Sequence, residues 1–136
     1  MSGENRVGIV LVSHSGPVAQ SVAELARDLA AGGATAPVAA AGGIPEGGLG
    51  TSAELIAEAA RSVDSGAGVV LLADLGSAVL TVKTLLAEGD ELPDGSRLVD
   101  APFLEGAVAA VVTASAGGDA AAVEAAASEA YAYRKV

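Results

Sequence analysis

The chain has 136 residues, enough for one domain with a buried core but too few for two. Its 17 acidic and 7 basic residues give a net charge of −10, which argues against nucleic-acid binding because that function uses Lys and Arg to neutralise phosphates. The sequence has no cysteine, which excludes disulfides and thiolate metal sites. Its apolar runs are shorter than a membrane span and the first residues lack the apolar core of a signal peptide, so we expect a cytoplasmic protein outside the membrane.

Short apolar runs alternate with amphipathic segments, a pattern typical of a parallel sheet flanked by helices. The predicted strands are Val7–Val12, Ala36–Ala40, Gly68–Ala73 and Arg97–Val99. The predicted helices are Pro17–Ala31, Thr51–Val63, Ala78–Ala87, Phe103–Ala114 and Gly118–Tyr133. We therefore expect residues 1–136 to form a single α/β domain. Its open parallel sheet should have about four strands in the order 2-1-3-4, with helices on both faces.

Proline, glycine and small polar residues mark where several of these elements begin and end. Pro17 fits the first turn of the first helix, and Gly32-Gly33 supplies its stop. Pro37 favours an edge position for the second strand. Thr51, with Glu54 three residues later, predicts a capping box for the second helix. The core-facing stripe of the first helix is expected to contain Val18, Val22, Leu25, Ala26 and Leu29.

The one histidine, His14, follows the first predicted strand, and Asp74 follows the third. Because the carboxyl ends of neighbouring parallel strands meet at one edge of the sheet, we expect these two side chains to lie side by side in one crevice. A carboxylate bonded to one imidazole nitrogen fixes the tautomer and makes the other nitrogen more nucleophilic. If Asp74 binds Nδ1, then Nε2 faces the crevice mouth and is the nitrogen that takes a phosphoryl group.

Two predicted helices begin at the same crevice, and helix N-termini favour an anion such as phosphate. Ser13, Ser15 and Ser77 add hydroxyl donors there, while Gly16, Gly76 and Ser77 let backbone amides approach phosphoryl oxygens. An imidazole with an orienting carboxylate beside an anion-binding site suits a group that accepts and gives up phosphoryl. We expect no metal and no other cofactor on this chain.

Each of these residues also has an ordinary structural explanation. His14 alone could be a polar loop residue, and Asp74 or Ser77 could only cap the third helix. Lys83 is expected to be solvent-exposed. The glycine-rich segment Gly42–Gly50 lacks the dinucleotide-binding spacing, and the chain has no P-loop sequence, which argues against direct use of ATP.

Five segments, taken in order, resemble those of the DhaM family, the phosphotransfer subunits of phosphoenolpyruvate-dependent dihydroxyacetone kinases. They are Val12–Ser15, Ala40–Gly43, Leu49–Thr51, Asp74–Ala78 and Ala101–Gly106. The DhaM domain is similar to the enzyme IIA of mannose-type sugar phosphotransferase systems. The resemblance covers Val7 to about Ser115, and the ordered set is far more specific than the Ser-His-Ser turn alone.

The resemblance implies a complete phosphoryl relay. Family members accept phosphoryl from the phosphocarrier HPr on the histidine that corresponds to His14, and an aspartate matching Asp74 hydrogen-bonds it. They pass the group to ADP held on the DhaL subunit, which acts with DhaK on dihydroxyacetone. The family is usually homodimeric. Some members carry fused HPr-like and enzyme I-like domains, which we expect to be separate proteins here.

The acidic surface suits the basic and apolar face that HPr presents. Leu49, Leu75, Ala78 and Val79 are candidates for the apolar centre of that contact, with burial in the core as the alternative for Leu75 and Val79.

Other functions for a histidine turn of this kind remain alternatives. A mannose-type enzyme IIA for another sugar would use the same chemistry. Small tetrapyrrole metal chelatases use a second histidine, which this chain lacks. A phosphohistidine phosphatase would need an Arg-His-Gly turn, and a receiver domain would need an acidic pair after the first strand. A flavodoxin-like binding module is the non-enzymatic alternative.

Overall fold

Four parallel strands in the order β2-β1-β3-β4 form the centre of the molecule, as predicted. The structure is a computed structural model that describes residues 5–31 and 35–136. The strands are β1 (Gly8–Ser13), β2 (Val38–Gly42), β3 (Val69–Ala73) and β4 (Ser96–Leu98). Each predicted strand exists, and its bounds lie within two residues of those predicted. The two edge strands, β2 and β4, are the less buried pair.

Five helices surround this sheet. They are α1 (Gly16–Leu29), α2 (Ala53–Ser62), α3 (Gly76–Glu88), α4 (Phe103–Ser115) and α5 (Ala120–Glu129), and a 3-10 turn (Ala130–Ala132) follows α5. The last helix is therefore shorter than the predicted Gly118–Tyr133, and α3 begins two residues before the predicted Ala78. The predicted stop at Gly32-Gly33 lies outside the described residues. Across the described ranges, no helix is both long enough and apolar enough to span a membrane.

The helices form two layers, one on each face of the sheet. Helices α1, α4 and α5 cover one face around a core that includes Ile9, Leu11 and Leu72. Helices α2 and α3 cover the other face around Val10, Val12 and Leu71. Alternate residues of β1 and β3 thus point into different cores, so both strands are buried on both sides.

The predicted core-facing stripe of α1 is confirmed for Ala26 and for Val22, which is partly buried against the core, and is wrong for its other three members. The fully buried residues of the helix are Ala19, Ala23 and Ala26, of which only Ala26 was predicted. Val18, Leu25 and Leu29 are between 43% and 59% exposed. The helix therefore has two neighbouring apolar stripes, one of alanines and one of larger side chains. The alanine stripe packs inward because small side chains let the helix approach its neighbours closely.

Small polar residues begin the first two helices. Ser15 caps α1, where its Oγ accepts a hydrogen bond from the Val18 N–H at 3.3 Å, and Pro17 lies in the first turn as predicted. Ser52, not Thr51, caps α2, so the predicted capping box is wrong. The Thr51 hydroxyl instead contacts the Thr81 hydroxyl at 3.2 Å, which ties the loop before α2 to α3.

Candidate active site

The parallel pairing of β1 with β3 brings His14 and Asp74 together. Val12 lies opposite Ala73 in the sheet, and the Asp74 N–H donates to the Val12 carbonyl at 3.0 Å. The residues that follow on the two strands therefore lie at the same end of the sheet. They are Ser13 and His14 after Val12, and Asp74 after Ala73. His14 and Asp74 lie side by side there, as the sequence predicted.

The Asp74 carboxylate accepts hydrogen bonds at both oxygens. Oδ2 accepts from the Ser13 hydroxyl at 2.8 Å and from the His14 backbone N–H at 3.1 Å. Oδ1 contacts His14 Nδ1 at 3.0 Å and accepts from the Leu75 N–H at 2.7 Å. The carboxylate thus holds both the backbone and the ring of His14, which is much more than a helix cap would do.

These contacts change the acidity of Asp74. Partial burial raises the pKa of the carboxyl group, but the hydrogen bonds from Ser13, from the backbone and ring of His14 and from Leu75 together outweigh burial and lower the pKa below 3.8. Asp74 is therefore ionised at neutral pH. An ionised carboxylate accepts hydrogen bonds only, so the contact with the ring assigns the proton to Nδ1 of a neutral His14.

The other ring nitrogen points toward the start of α3. With the proton on Nδ1, Nε2 carries a lone pair, and the Ser77 hydroxyl makes a hydrogen bond with it. The His14 side chain is about one-quarter exposed, so this nitrogen lies at the mouth of the crevice. The arrangement presents a nucleophilic nitrogen with a fixed tautomer to the solvent side.

The two serines that flank His14 have different positions. Ser13 is 1% exposed, and its hydroxyl accepts from the Ser15 N–H at 3.1 Å while it donates to Asp74. Ser15 is half-buried and uses its side chain to cap α1. Both serines lie at the site, but the Ser13 hydroxyl proton is directed at the carboxylate and away from the crevice mouth.

Two backbone N–H groups at the start of α3 remain available for an anion. Among the described residues, none accepts a hydrogen bond from the N–H of Gly76 or Ser77. Gly76 is exposed, and a side chain there would meet no atom within 4 Å. Gly16, at the start of α1, lies in the same region and packs near the Gly42 carbonyl. Within residues 5–31 and 35–136, no group of three or more His, Cys, Asp or Glu side chains could hold a metal ion.

The glycine-rich loop after β2 supports the histidine turn, a role that the sequence interpretation missed. The Gly50 N–H donates to the His14 carbonyl at 2.9 Å, and the Gly43 N–H donates to the Ser13 carbonyl at 3.2 Å. Gly42 packs so closely on the turn that a Cβ there would lie 2.4 Å from the Ser15 carbonyl oxygen. The glycines at the end of the edge strand could have indicated such close packing. The sequence interpretation compared this segment only with the dinucleotide-binding spacing.

The four candidate docking residues differ in exposure. Leu49 and Leu75 are exposed at 78% and 63%, Ala78 is fully buried, and Val79 is half-buried. A cavity of about 440 Å³ lies beside Asp74 between the ends of β3 and β4. Its wall includes Leu75 and Val79, together with Lys83, which is exposed as predicted.

Comparison with known proteins identifies the family. Residues 8–124 match EIIA-man, described as "PTS system fructose IIA component". The chain is 38% identical over 116 residues to the "PEP-dependent dihydroxyacetone kinase, phosphoryl donor subunit DhaM" of Escherichia coli K12, a match that covers 83% of this chain and 24% of that protein. It is 35% identical over 107 residues to the phosphoryl donor subunit DhaM of dihydroxyacetone kinase 2 of Listeria innocua, which covers 78% of this chain and 84% of that protein.

Solved structures agree with this match. A crystal structure of a protein of unknown function, EF1359, superposes with a TM-score of 0.76 at 30% identity and covers 91% of this chain and 94% of its own. A sigma-54 interaction domain protein from Enterococcus faecalis, at 18% identity and a TM-score of 0.63, shares the fold over 88% of this chain and 86% of its own. The chain therefore belongs to the EIIA-man family of phosphotransferase-system IIA components, as a DhaM-like domain.

Proposed function

We propose that this chain is a phosphoryl carrier that accepts phosphoryl from phospho-HPr on His14 and passes it to ADP on a DhaL subunit, for phosphorylation of dihydroxyacetone held by DhaK. One observation carries the proposal: the 3.0 Å contact of Nδ1 with Asp74 leaves Nε2 at the crevice mouth. The names of the relatives support the assignment to dihydroxyacetone kinase. The chain spans about a quarter of the Escherichia coli relative, so the acceptor and the partners are part of the proposal.

The proposed transfer exchanges one nitrogen–phosphorus bond for another. The Nε2 lone pair of His14 attacks the phosphorus of the donor phosphohistidine, and the N–P bond of the donor breaks as the new one forms. Nδ1 keeps its proton, and Asp74 stabilises the positive charge that develops on the ring. In the second transfer a terminal phosphate oxygen of ADP attacks, the N–P bond at His14 breaks, and the neutral ring is restored.

The groups around Nε2 are suited to hold the transferred phosphoryl group. The Ser77 hydroxyl, which loses its acceptor when Nε2 is phosphorylated, turns to donate to a phosphoryl oxygen. The N–H groups of Gly76 and Ser77, at the positive end of the α3 dipole, donate as well. Ser15 and Gly16 are expected on the opposite side of the group. We assign Ser13 chiefly to the support of Asp74, because its hydroxyl donates to that carboxylate.

Two protein partners must reach the same nitrogen in turn. Leu49 and Leu75 are exposed near His14 and form the apolar centre of the proposed docking surface. The net charge of −10 favours a basic partner face such as that of HPr. We also propose a homodimer, a cytoplasmic location, and transfer chemistry that uses the chain's own groups without a resident metal or cofactor.

The decisive test is incubation with phosphoenolpyruvate, enzyme I and HPr, followed by intact mass measurement before and after acid treatment. One added phosphate that is lost in acid, and that is absent from His14→Ala, supports a phosphohistidine carrier. Asp74→Ala should still be phosphorylated, but about 100-fold more slowly, because the tautomer and ring position are no longer fixed. Absence of phosphate on the parent chain with active HPr contradicts the proposal.

A second stage identifies the acceptor. The phosphorylated chain is mixed with DhaL–ADP, DhaK and dihydroxyacetone, and in parallel with the transport components of another sugar system. Loss of phosphate only in the first mixture supports the dihydroxyacetone kinase. Loss only in the second indicates a mannose-type enzyme IIA for another sugar, which retains the chemistry and changes the partner.

A further inference from the structure

We propose that Thr51 and Thr81 are positioning residues that fix the start of α3 opposite Nε2 of His14. They do so through a hydrogen bond between their hydroxyls, here called the threonine bridge. The inference rests on the proposed function and deepens it, because the bridge holds the Ser77 end of α3 that is proposed to bind the phosphoryl group. Both threonines act through the groups that they hold, and neither is assigned a contact with the phosphoryl group.

The direction of each hydrogen bond in the bridge follows from the single proton that a hydroxyl carries. The Thr81 hydroxyl donates its proton to the Ser77 carbonyl, one turn earlier in α3, at 3.0 Å. It can therefore only accept in its 3.2 Å contact with Thr51, whose hydroxyl is the donor. The bridge thus runs from the loop before α2, through Thr81, to the backbone of Ser77.

The residue before Thr51 holds the opposite side of the crevice. The Gly50 N–H donates to the His14 carbonyl at 2.9 Å, so two adjacent residues of one loop bind the histidine turn and α3. The hydrogen bond between Nε2 of His14 and the Ser77 hydroxyl closes the ring. His14 and Ser77 are therefore joined twice, once directly through their side chains and once through their backbones and the threonine bridge.

The Thr51 hydroxyl is not needed to begin α2. Ser52 caps that helix, where its Oγ accepts from the Leu55 N–H at 3.2 Å. Both threonines are half-buried, so water competes less well for their hydroxyls than it would on an open surface. The bridge therefore serves the contact between the loop and α3, the two segments that bind His14.

Phosphorylation of Nε2 would remove the direct link between His14 and Ser77, because the phosphoryl group takes the place of their hydrogen bond. The threonine bridge and the Gly50 hydrogen bond do not involve Nε2, so they persist. They keep the Ser77 hydroxyl and the N–H groups at the start of α3 within reach of the phosphoryl oxygens. Without the bridge, the hydrogen bonds of Asp74 with His14 remain to tie the start of α3 to the histidine turn. Because small displacements of a binding group are costly, the loss should be measurable.

Thr51→Val and Thr81→Val test the proposal, because valine keeps the branched shape of threonine and removes the hydroxyl. The full chain is loaded with phosphoryl from phosphoramidate, a chemical donor that needs no partner protein, and the loss of phosphohistidine is followed by intact mass. We expect each variant to lose its phosphoryl group about 3–10-fold faster than the parent, the effect of one neutral hydrogen bond. The double variant should be no faster than the faster single variant, because both changes break the same bond.

Thr84→Val is the matched control. The Thr84 hydroxyl donates to the Leu80 carbonyl at 3.0 Å, the same bond within α3 that Thr81 makes to Ser77. Thr84 is exposed, and in the part of the chain that the structure describes no hydrogen bond ties its side chain to another element. Thr84→Val should therefore keep the parent half-life. Thr51→Ser and Thr81→Ser retain the hydroxyl and should keep it too.

Nitrogen-15 NMR of the unphosphorylated protein gives a readout that does not depend on phosphoryl transfer. The Nε2 chemical shift reports the hydrogen bond with Ser77. It should move toward the value of an unbonded imidazole nitrogen in Thr51→Val and Thr81→Val, and stay unchanged in Thr84→Val. Parent half-lives and chemical shifts in both bridge variants overturn the proposal, and so does an equal change in Thr84→Val. If the parent gains no phosphoryl group, the proposed function fails, and the chemical shifts alone decide whether the bridge positions Ser77.

Discussion

Gly42→Ala is expected to disturb the proposed phosphoryl site from a position 28 residues away from His14 in sequence. A Cβ at Gly42 would lie 2.4 Å from the Ser15 carbonyl oxygen and 2.8 Å from the Gly16 Cα. Ordinary contact begins near 3.4 Å, so the turn that carries His14 must move by about 1 Å. Overpacking of this size costs about 1–3 kcal/mol, which a domain stable by about 5–15 kcal/mol tolerates.

The displacement should affect chemistry more than stability. A misplacement of about 1 Å in a reacting group lowers a rate by about 100-fold. We therefore expect the melting temperature of Gly42→Ala to fall by about 4 °C for each kcal/mol of unfolding free energy lost. We expect the variant to accept phosphoryl from phospho-HPr about 100-fold more slowly than the parent. The assay is the time course of acid-labile phosphate by intact mass, with the melting temperature measured on the same preparation.

Gly8→Ala is the matched control. A Cβ at Gly8 would lie 2.3 Å from the Val63 carbonyl oxygen, a clash of the same size at the opposite end of β1. It should lower the melting temperature by a similar amount and leave the phosphorylation rate of the folded protein unchanged. Equal phosphorylation rates for the two variants would refute the role of Gly42 in positioning the His14 turn.

Three further outcomes are expected from the same contacts. The lowered pKa of Asp74 adds stability that is fully present above pH 3.8 and is lost as pH falls through the lower folded pKa. Urea unfolding at pH 2–7 should therefore show that the free energies of unfolding of the parent and of Asp74→Asn converge only in acid. A difference between them that is independent of pH would contradict this. Ser13→Ala should cost about 1–3 kcal/mol, because the Ser15 N–H loses its acceptor, and NMR titration should show a raised pKa of Asp74; an unchanged pKa would remove the supporting role of Ser13. Ser77→Ala should still accept phosphoryl, but its phosphohistidine should hydrolyse about 10–100-fold faster than that of the parent, because a hydrogen bond to the charged phosphoryl group is lost. Equal half-lives of the two phosphorylated proteins would exclude the contact between Ser77 and the phosphoryl group.

Strand order and the pairing of His14 with Asp74 were predictable because both depend on local pattern. Continuous apolar runs define β1 and β3, and chain connectivity places their carboxyl ends together. The residue that caps α2 was harder to predict. Thr51 and Ser52 are both good caps, and the loop geometry that ties Thr51 to Thr81 decided between them.

The orientation of α1 was not predictable from hydrophobicity alone. Hydrophobic periodicity ranks Val18, Leu25 and Leu29 above the alanines, so it assigned the larger side chains to the core. Close packing among α1, the sheet and α4 instead requires the small side chains inside, and that requirement appears only in three dimensions. Likewise, the support of the His14 turn by Gly42 and Gly50 depends on contacts across 27 and 36 residues.

The pairing of β1 with β3 makes chemical competence a reporter of folding. Asp74 reaches the backbone and ring of His14 only when Val12 lies opposite Ala73, and a slip of one residue would turn alternate side chains to the wrong face of the sheet. A collapsed chain with the right helices and a shifted strand would have no oriented imidazole. If His14 is the phosphoryl acceptor as we propose, the fraction of molecules that gains acid-labile phosphate at the full rate therefore counts the natively paired ones, which makes the donor reaction a quantitative probe of refolding.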